Sequence, residues 1–295
     1  MEGSSRSTDA LGELYVGCAV WAYADWVGGF YSRGTKSAEM LDEYTKRLRA
    51  VEGNTTFYAV PSAETVERWA RVMPEGFRFC PKLPREITHQ GALMPELDGT
   101  REFLERLEPL TTRLGLVFAQ LPDTYGPDMG RDLLEFLAAW PSDRIGLGLE
   151  LRHRGWFEGQ IRSKLTRALA TGNITNVILD TTAIFEGPDN PQVHSRNKKP
   201  NLPVRDEATS RVCMVRYIGH PTLERNLPHL ARWSDRVAGW LREGRDVLFF
   251  CHCPIEERSP ELARNFQAKL EKLVPEVTPM PWNSMPPPAT QLDLF

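Results

Sequence analysis

The chain has 295 residues, 41% hydrophobic and 25% charged, with a net charge of −3 and a pI near 6.1. That length is enough for two average domains or one α/β barrel with a sizeable core, and the composition excludes a disordered chain. The mild acidity excludes a body that gathers nucleic acid by bulk charge, so any such contact needs a local patch or a recruited partner.

Five cysteines, an odd number, do not suit a disulfide framework. Cys18, Cys80, Cys213 and Cys251 fall in apolar, strand-like segments, as free thiols in a reducing compartment do. Residues 1–13 are small and polar and lack the apolar centre of a signal peptide. No run approaches the ~18 apolar residues of a membrane span, so a cytoplasmic protein without membrane association is expected.

In chain order, Leu14–Ala19 reads as a first strand and runs into a Gly-containing loop with Trp21, Tyr23, Trp26, Phe30 and Tyr31. These aromatics either plug the end of a core or line a pocket. Ser37 is expected to cap a helix through Leu48, with Met40, Leu41, Tyr44 and Leu48 at helical spacing. A strand then opens at Val51, with Glu52 and Asn54 on one face at period two and Tyr58 crowded at its end before Pro61. A carboxylate within a strand is costly to bury unless paired or used. A helix over Ser62–Val72 carries Val66 and Trp69 on its apolar face, and Phe77–Lys82 is a third strand.

A helix at Phe103–Leu110 precedes Leu114–Gln120, a nearly continuous apolar run of the kind covered on both faces. Leu133–Trp140 reads as helix and Ile145–Leu149 as strand, followed by Glu150 and Arg152 on a shared face. A helix to Ala170 stops at Gly172-Asn173, and Val177–Asp180 is the next strand. After a long segment from Thr181 to Ser210 come the strand Val212–Ile218, a helix through Trp233 and Trp240, the strand Asp246–Cys253 and a helix over Ser259–Leu273.

This is an eightfold alternation of short apolar strands and helices, which implies parallel β–α units. A TIM-like (β/α)8 barrel of typically about 250 residues fits as a single α/β domain over residues 14–275, between tails 1–13 and 276–295. A doubly wound open sheet is the rival, but no glycine fingerprint follows the first strand.

In such a barrel the working residues stand at the carboxyl ends of the strands. Reading those ends gives Trp21, Asn54, Tyr58, Lys82, Gln120, Glu150, Arg152, Asp180, Arg216 and His252, with Glu52 just beneath. Three cations together suit an anionic ligand, with the arginines able to grip phosphate or carboxylate in two places. Arg152, Arg216 and Lys82 are expected to hold the anion, and Asn54, Tyr58 and Gln120 to orient it. Glu150 and Asp180 fit general acid or base roles, or else neutralise the arginines as structural ion pairs. A glycosidase pair needs a set carboxylate separation that sequence cannot supply. No metal site is expected, because strand alternation puts Cys251 and Cys253 on one face and His252 on the other. The basic run His194–Pro200 is either solvated surface or a guide for a polyanion towards the mouth.

After Pro275 the chain becomes Pro-rich, an extended spacer of ~3.1 Å per residue where such a segment is polyproline-like. It presents Gln291, Leu292, Asp293, Leu294 and Phe295 as a free end. This pentapeptide either folds back on the barrel or docks its apolar anchors in a partner's groove. It is similar at all five positions to the bacterial sliding-clamp-binding motif, Gln-Leu-(Ser or Asp)-Leu-Phe, which implies a DNA sliding clamp as partner and nucleic acid as a possible substrate.

The chain also resembles the YecE-like family over nearly its whole length. The likeness rests on Gly17 with Trp21 and Trp26, the block Val51–Tyr58, Trp69, Phe77-Arg78-Phe79 with Lys82 and His89, Gln120-Leu121-Pro122, Glu150 with Arg152-His153, and Arg216. The resemblance implies a barrel with a pocket at the strand ends, and no settled reaction, substrate or cofactor. Many relatives end the last strand with an Asn-rich segment; this chain has Cys251-His252-Cys253-Pro254, closer to a branch with His-Thr-Pro. The leading expectation is an enzyme, a hydrolase or lyase, acting on an anionic substrate. The alternatives are a non-catalytic accessory protein tethered to the clamp, or a sugar- or metabolite-processing enzyme unrelated to DNA.

Overall fold

The computed structural model describes residues 10–186 and 199–285. Eight parallel strands, β1 (Leu14–Cys18), β2 (Ala50–Gly53), β3 (Arg78–Pro81), β4 (Val117–Gln120), β5 (Leu147–Glu150), β6 (Thr175–Asp180), β7 (Val212–Ile218) and β8 (Asp246–His252), pair in the order β3-β2-β1-β8-β7-β6-β5-β4. The two ends of that order meet through Gly115 N–H donating to Phe79 O (3.0 Å) and Leu83 N–H donating to Phe118 O (2.9 Å), which leaves a nearly closed barrel. Helices surround it, so the expected α/β barrel is the architecture observed.

Period-two alternation divides the side chains between two cores. Ala50, Cys80, Phe118, Val177, Met214 and Phe250 fill the interior of the barrel, while Val51, Phe79, Val117, Ile178, Val215 and Phe249 face the helices in the larger outer core. Two residues further along most strands, the interior layer turns polar. At Gly17 a Cβ would lie 2.0 Å from Ala50 O, so β1 and β2 approach too closely there for any side chain.

The helix Ala63–Val72 starts where Ser62 Oγ accepts from Thr65 N–H (3.2 Å), and the Gly172-Asn173 stop places Asn173 at φ 50°. Other boundaries move. Around Ser37 the chain forms a short 3-10 turn that Ser37 does not cap; Glu39 Oε2 accepts from Lys36 N–H there (2.9 Å), and the α-helix covers only Met40–Thr45. The helix expected at Phe103–Leu110 lies earlier, at Leu97–Arg106; Pro109, lacking an N–H, instead opens a 3-10 segment, Glu108–Arg113. The strand opening at Val51 ends at Gly53, and Thr55–Tyr58 is a helical turn tied down by Thr56 Oγ1, which donates to Lys82 O (2.6 Å).

The packed body also continues past Pro275. Val277 and Met280 are buried, and the Trp282 ring packs edge-on against Phe30 with centroids 4.9 Å apart. Gln291–Phe295 and His194–Lys198 lie outside the described residues. Among the described residues no helix is long and apolar enough to cross a membrane.

Candidate functional site

The polar layer at the carboxyl end of the barrel follows from counting by two along each strand. Interior Ala50 is followed by Glu52, Cys80 by Lys82, Phe118 by Gln120, Gly148 by Glu150, Met214 by Arg216 and Phe250 by His252. These side chains point into the mouth and bond to one another in a continuous arc. Arg216 donates to both oxygens of Glu52 (Nε to Oε2 2.8 Å, Nη2 to Oε1 2.7 Å) and through Nη1 to Glu150 Oε2. Arg152 donates from Nε to Glu150 Oε1 (2.8 Å) and from Nη2 to Gln120 Oε1 (2.7 Å). The same Gln120 oxygen accepts from Lys82 Nζ at 2.7 Å. At the other end of the arc, His252 Nε2 lies 3.0 Å from Glu52 Oε2. An ionised carboxylate only accepts, so Nε2 carries the hydrogen.

Burial and charge set the protonation states. Burial pushes the Glu52 carboxyl up, but Arg216 and then His252 outweigh it and hold it well below its ordinary value. Glu150 is likewise raised by burial and lowered further by Arg216, Arg152 and Lys82, down to about 2. His252 is held neutral, its pKa lowered mainly by burial against the pull of Glu52. Lys82, 5% exposed, is pushed down to about 7 by burial and then by Arg216. Its ammonium sits 3.8 Å from the Phe57 ring centroid, and no carboxylate among the described residues is within ion-pair range of it.

Two loop residues join the mouth. Thr181 Oγ1 donates to Pro200 O (2.9 Å), which brings Lys199 over the cluster. Burial, then the charges of Arg216 and Arg152, push Lys199 down to about 8. Glu256, after β8, has Oε1 buried without a hydrogen-bond partner among the described residues, and burial pushes its carboxyl up to about 8. Its backbone oxygen accepts from Trp26 Nε1 at 3.0 Å, which anchors the loop. Lys82, Lys199 and Glu256 therefore exchange protons near neutrality, whereas Glu52 and Glu150 stay ionised.

Of the residues expected at the site, the structure brings Lys82, Gln120, Glu150, Arg152 and Arg216 together. Asp180 lies elsewhere: it is on the outer face of β6, where Oδ2 accepts from Trp233 Nε1 (2.7 Å) and Arg232 Nη2 (2.9 Å) of the helix Leu227–Arg242. Trp21 packs outside the barrel against Trp69 and Phe79, at 5.4 and 6.1 Å between centroids. Asn54 donates from Nδ2 to Ala19 O (3.1 Å) and ties the ends of β1 and β2 together. Tyr58 is 79% exposed and rests edge-on against Phe57, on a shallow concavity of about 400 Å³ beside the mouth. Glu52 and His252 belong to the arc, signalled by their strand-end positions; Lys199 is signalled only as part of the basic run His194–Pro200, and Glu256 by nothing. Among the described residues no three His, Cys, Asp or Glu are grouped to hold a metal ion.

Comparison with known proteins identifies relatives of this chain and solved structures of the same fold. UPF0759 protein YecE of Escherichia coli strain K12 is 34% identical over 271 residues, which cover 91% of this chain and 96% of that protein. UPF0759 protein YunF of Bacillus subtilis strain 168 is 26% identical over 184 residues, 59% of this chain and 63% of that one. Solved structures of DUF72 family proteins from Enterococcus faecalis V583 and Thermotoga maritima MSB8 superpose with TM-scores of 0.67 and 0.65. They are 21% and 22% identical, and cover 90% and 88% of this chain and 97% and 99% of their own. At that identity the likeness speaks for the fold alone. Residues 15–286 match the family model described as "Protein of unknown function DUF72". The chain belongs to the DUF72 family.

Proposed function

We propose that the carboxyl-end mouth of the barrel binds a phosphate-bearing or similarly charged oxyanion and acts on it by acid–base chemistry. The observation that carries this reading is the sharing of one neutral acceptor, Gln120 Oε1, by two cations, Lys82 Nζ and Arg152 Nη2, each at 2.7 Å. Both carboxylates of the arc are already bound by Arg216. Arg152 also pairs with Glu150, so the two arginines balance the two carboxylates and Lys82 is the surplus cation of the arc, on the β3 side, where an anion would take the remaining donors of Lys82 and Arg152.

In this reading Glu150 positions the two arginines rather than carrying protons, because a carboxyl held near 2 is a weak base and no acid at neutral pH. Proton transfer falls to Lys82, an acid in the ammonium form that holds the anion, and to Glu256, a base when ionised; their pKa values near 7 and 8 suit such roles around neutrality. Hydrolysis or elimination at a phosphate ester matches such a pair. Turnover screened over phosphate monoesters, phosphodiesters and nucleotides tests it. The reading predicts activity that collapses in Lys82→Met; binding with no turnover of any ester would leave a ligand-binding accessory protein.

A second reading concerns where the barrel works. The sequence Gln291-Leu292-Asp293-Leu294-Phe295 supports recruitment to a bacterial sliding clamp, with nucleic acid as the source of the phosphate. Binding to a sliding clamp by the full chain, set beside a chain ending at Thr290, tests this. Equal binding by both, or by neither, sinks it.

A further inference from the structure

At the opposite, amino-terminal end of the barrel lies a cleft of about 560 Å³ lined by Tyr15, Arg49, Glu75, Arg78, Thr112 and Arg113. The guanidinium carbons of Arg49 and Arg78 stand 4.8 and 5.0 Å from the centroid of the Tyr15 ring. Stacking on one aromatic ring holds two flexible side chains in place before any ligand arrives. Arg49 has a carboxylate partner: its Nη2 lies 3.2 Å from Glu13 Oε2.

Arg78 and Arg113 differ. Both are half-buried, and among the described residues neither has a carboxylate within ion-pair range. Arg78 Nη1 donates to Phe77 O (3.2 Å) and Thr112 O (3.4 Å). Arg113 donates from Nε to Met73 O (2.8 Å) and from Nη1 to Thr112 Oγ1 (2.9 Å). The two guanidiniums therefore converge on Thr112. Arg78 Nε and Nη2 and Arg113 Nη2 have no acceptor among the described residues. None of these donors is among the buried polar atoms without a partner, so they face the solvent of the cleft and are open to an oxyanion, which a guanidinium binds through charge-assisted hydrogen bonds.

We propose that this cleft is a second binding site, distinct from the mouth, for a small molecule presenting one phosphate or carboxylate group to Arg78 and Arg113. The balance of charge argues for a small ligand over a polyanion. Three arginines face Glu13 and Glu75 in the same cleft, which leaves a single positive charge in excess. Arg78 opens β3, and Arg113 lies in the 3-10 segment before β4, so occupancy would brace the seam at which the barrel closes.

The test is a titration of the full chain, labelled with nitrogen-15 arginine, followed at the Arg78 and Arg113 Nε–H resonances. Inorganic phosphate and acetate are added separately at constant ionic strength, against a chloride control. The proposal expects saturable shifts of both resonances with at least one of the two anions, and none with chloride. Phosphate alone would assign a phosphate-bearing ligand, and acetate alone a carboxylate. Removing one arginine, Arg113→Gln, should weaken binding read at Arg78 by about tenfold or more, as loss of a charge-assisted partner does. Lys82→Met, at the other end of the barrel, should leave it unchanged. Shifts that never saturate, that chloride reproduces, or that survive Arg113→Gln at full affinity would overturn the proposal.

Discussion

Arg216 on β7 and Glu52 on β2 meet inside the barrel mouth in a two-pronged ion pair, with Nη2 2.7 Å from Oε1 and both side chains almost wholly buried. Glu150 takes the third face of the guanidinium. A buried arginine with two carboxylates is stable only as a set, because each member neutralises a charge that would otherwise lie unsolvated.

Glu52→Gln is therefore expected to destabilise the protein by roughly 3–5 kcal/mol, the usual cost of stranding a buried charge. Denaturant unfolding measures it. A loss under about 1 kcal/mol would mean that the pair is solvated, as surface pairs are.

Acid should weaken the same cluster over a defined window. The Glu150 pKa is depressed to about 2 from an ordinary 4.5, so its stabilisation is complete above the unfolded value and is lost as pH falls through the folded one. Unfolding free energies taken from neutral pH downward should fall through that interval. The fall should be shallower in Glu150→Gln, which has no such proton to take up.

The anion site should titrate with Lys82. Its pKa is depressed to about 7, so the mouth is most cationic below that value and loses charge as pH rises through it. Affinity at the mouth for inorganic sulfate, whose own charge is constant in this range, should fall across pH 7 to 8, the interval spanned by Lys82 and Lys199. Lys82→Met should bind more weakly, and its pH profile should keep only the step near 8. A profile unchanged by Lys82→Met would remove Lys82 from the site.

Asp180 and Arg152 should separate fold from site. Asp180→Asn weakens the anchor of the helix Leu227–Arg242 and should lower stability by about 1–3 kcal/mol while leaving anion affinity alone. Arg152→Gln should do the reverse. Calorimetric unfolding and phosphate titration on both variants read the two effects separately.

How much of this was legible in the sequence depends on parity. Lys82, Gln120, Glu150 and Arg216 stand an even number of residues after interior side chains, so strand-end reading places them in the mouth. Asp180 also ends a strand, but it is three residues after interior Val177, and counting by two from Val177 reaches Leu179 instead. Tyr58 leaves the mouth for a different reason. The strand ends at Gly53, and a helical turn carries the ring to the surface. Lys199 and Glu256 reach the mouth on loops whose return path depends on bonds such as Thr181 to Pro200; the basic run His194–Pro200 marks the charge of Lys199 but not its place, and nothing local marks Glu256. At the other end of the chain, Pro-rich composition suggested a spacer from residue 276, yet Val277, Met280 and Trp282 find packing partners on the body.

The measurement that tests the central claim most directly is the titration of Lys82 by carbon-13 NMR at its Cε, assigned by comparison with Lys82→Arg, with and without inorganic phosphate. The account predicts a pKa near 7 in the free protein and a rise on adding phosphate, because a bound anion favours the ammonium form. A free-protein value near that of an ordinary lysine, about 10.4, would remove Lys82 from proton transfer near neutrality, and a value that phosphate does not move would contradict an anion site at the mouth of the barrel.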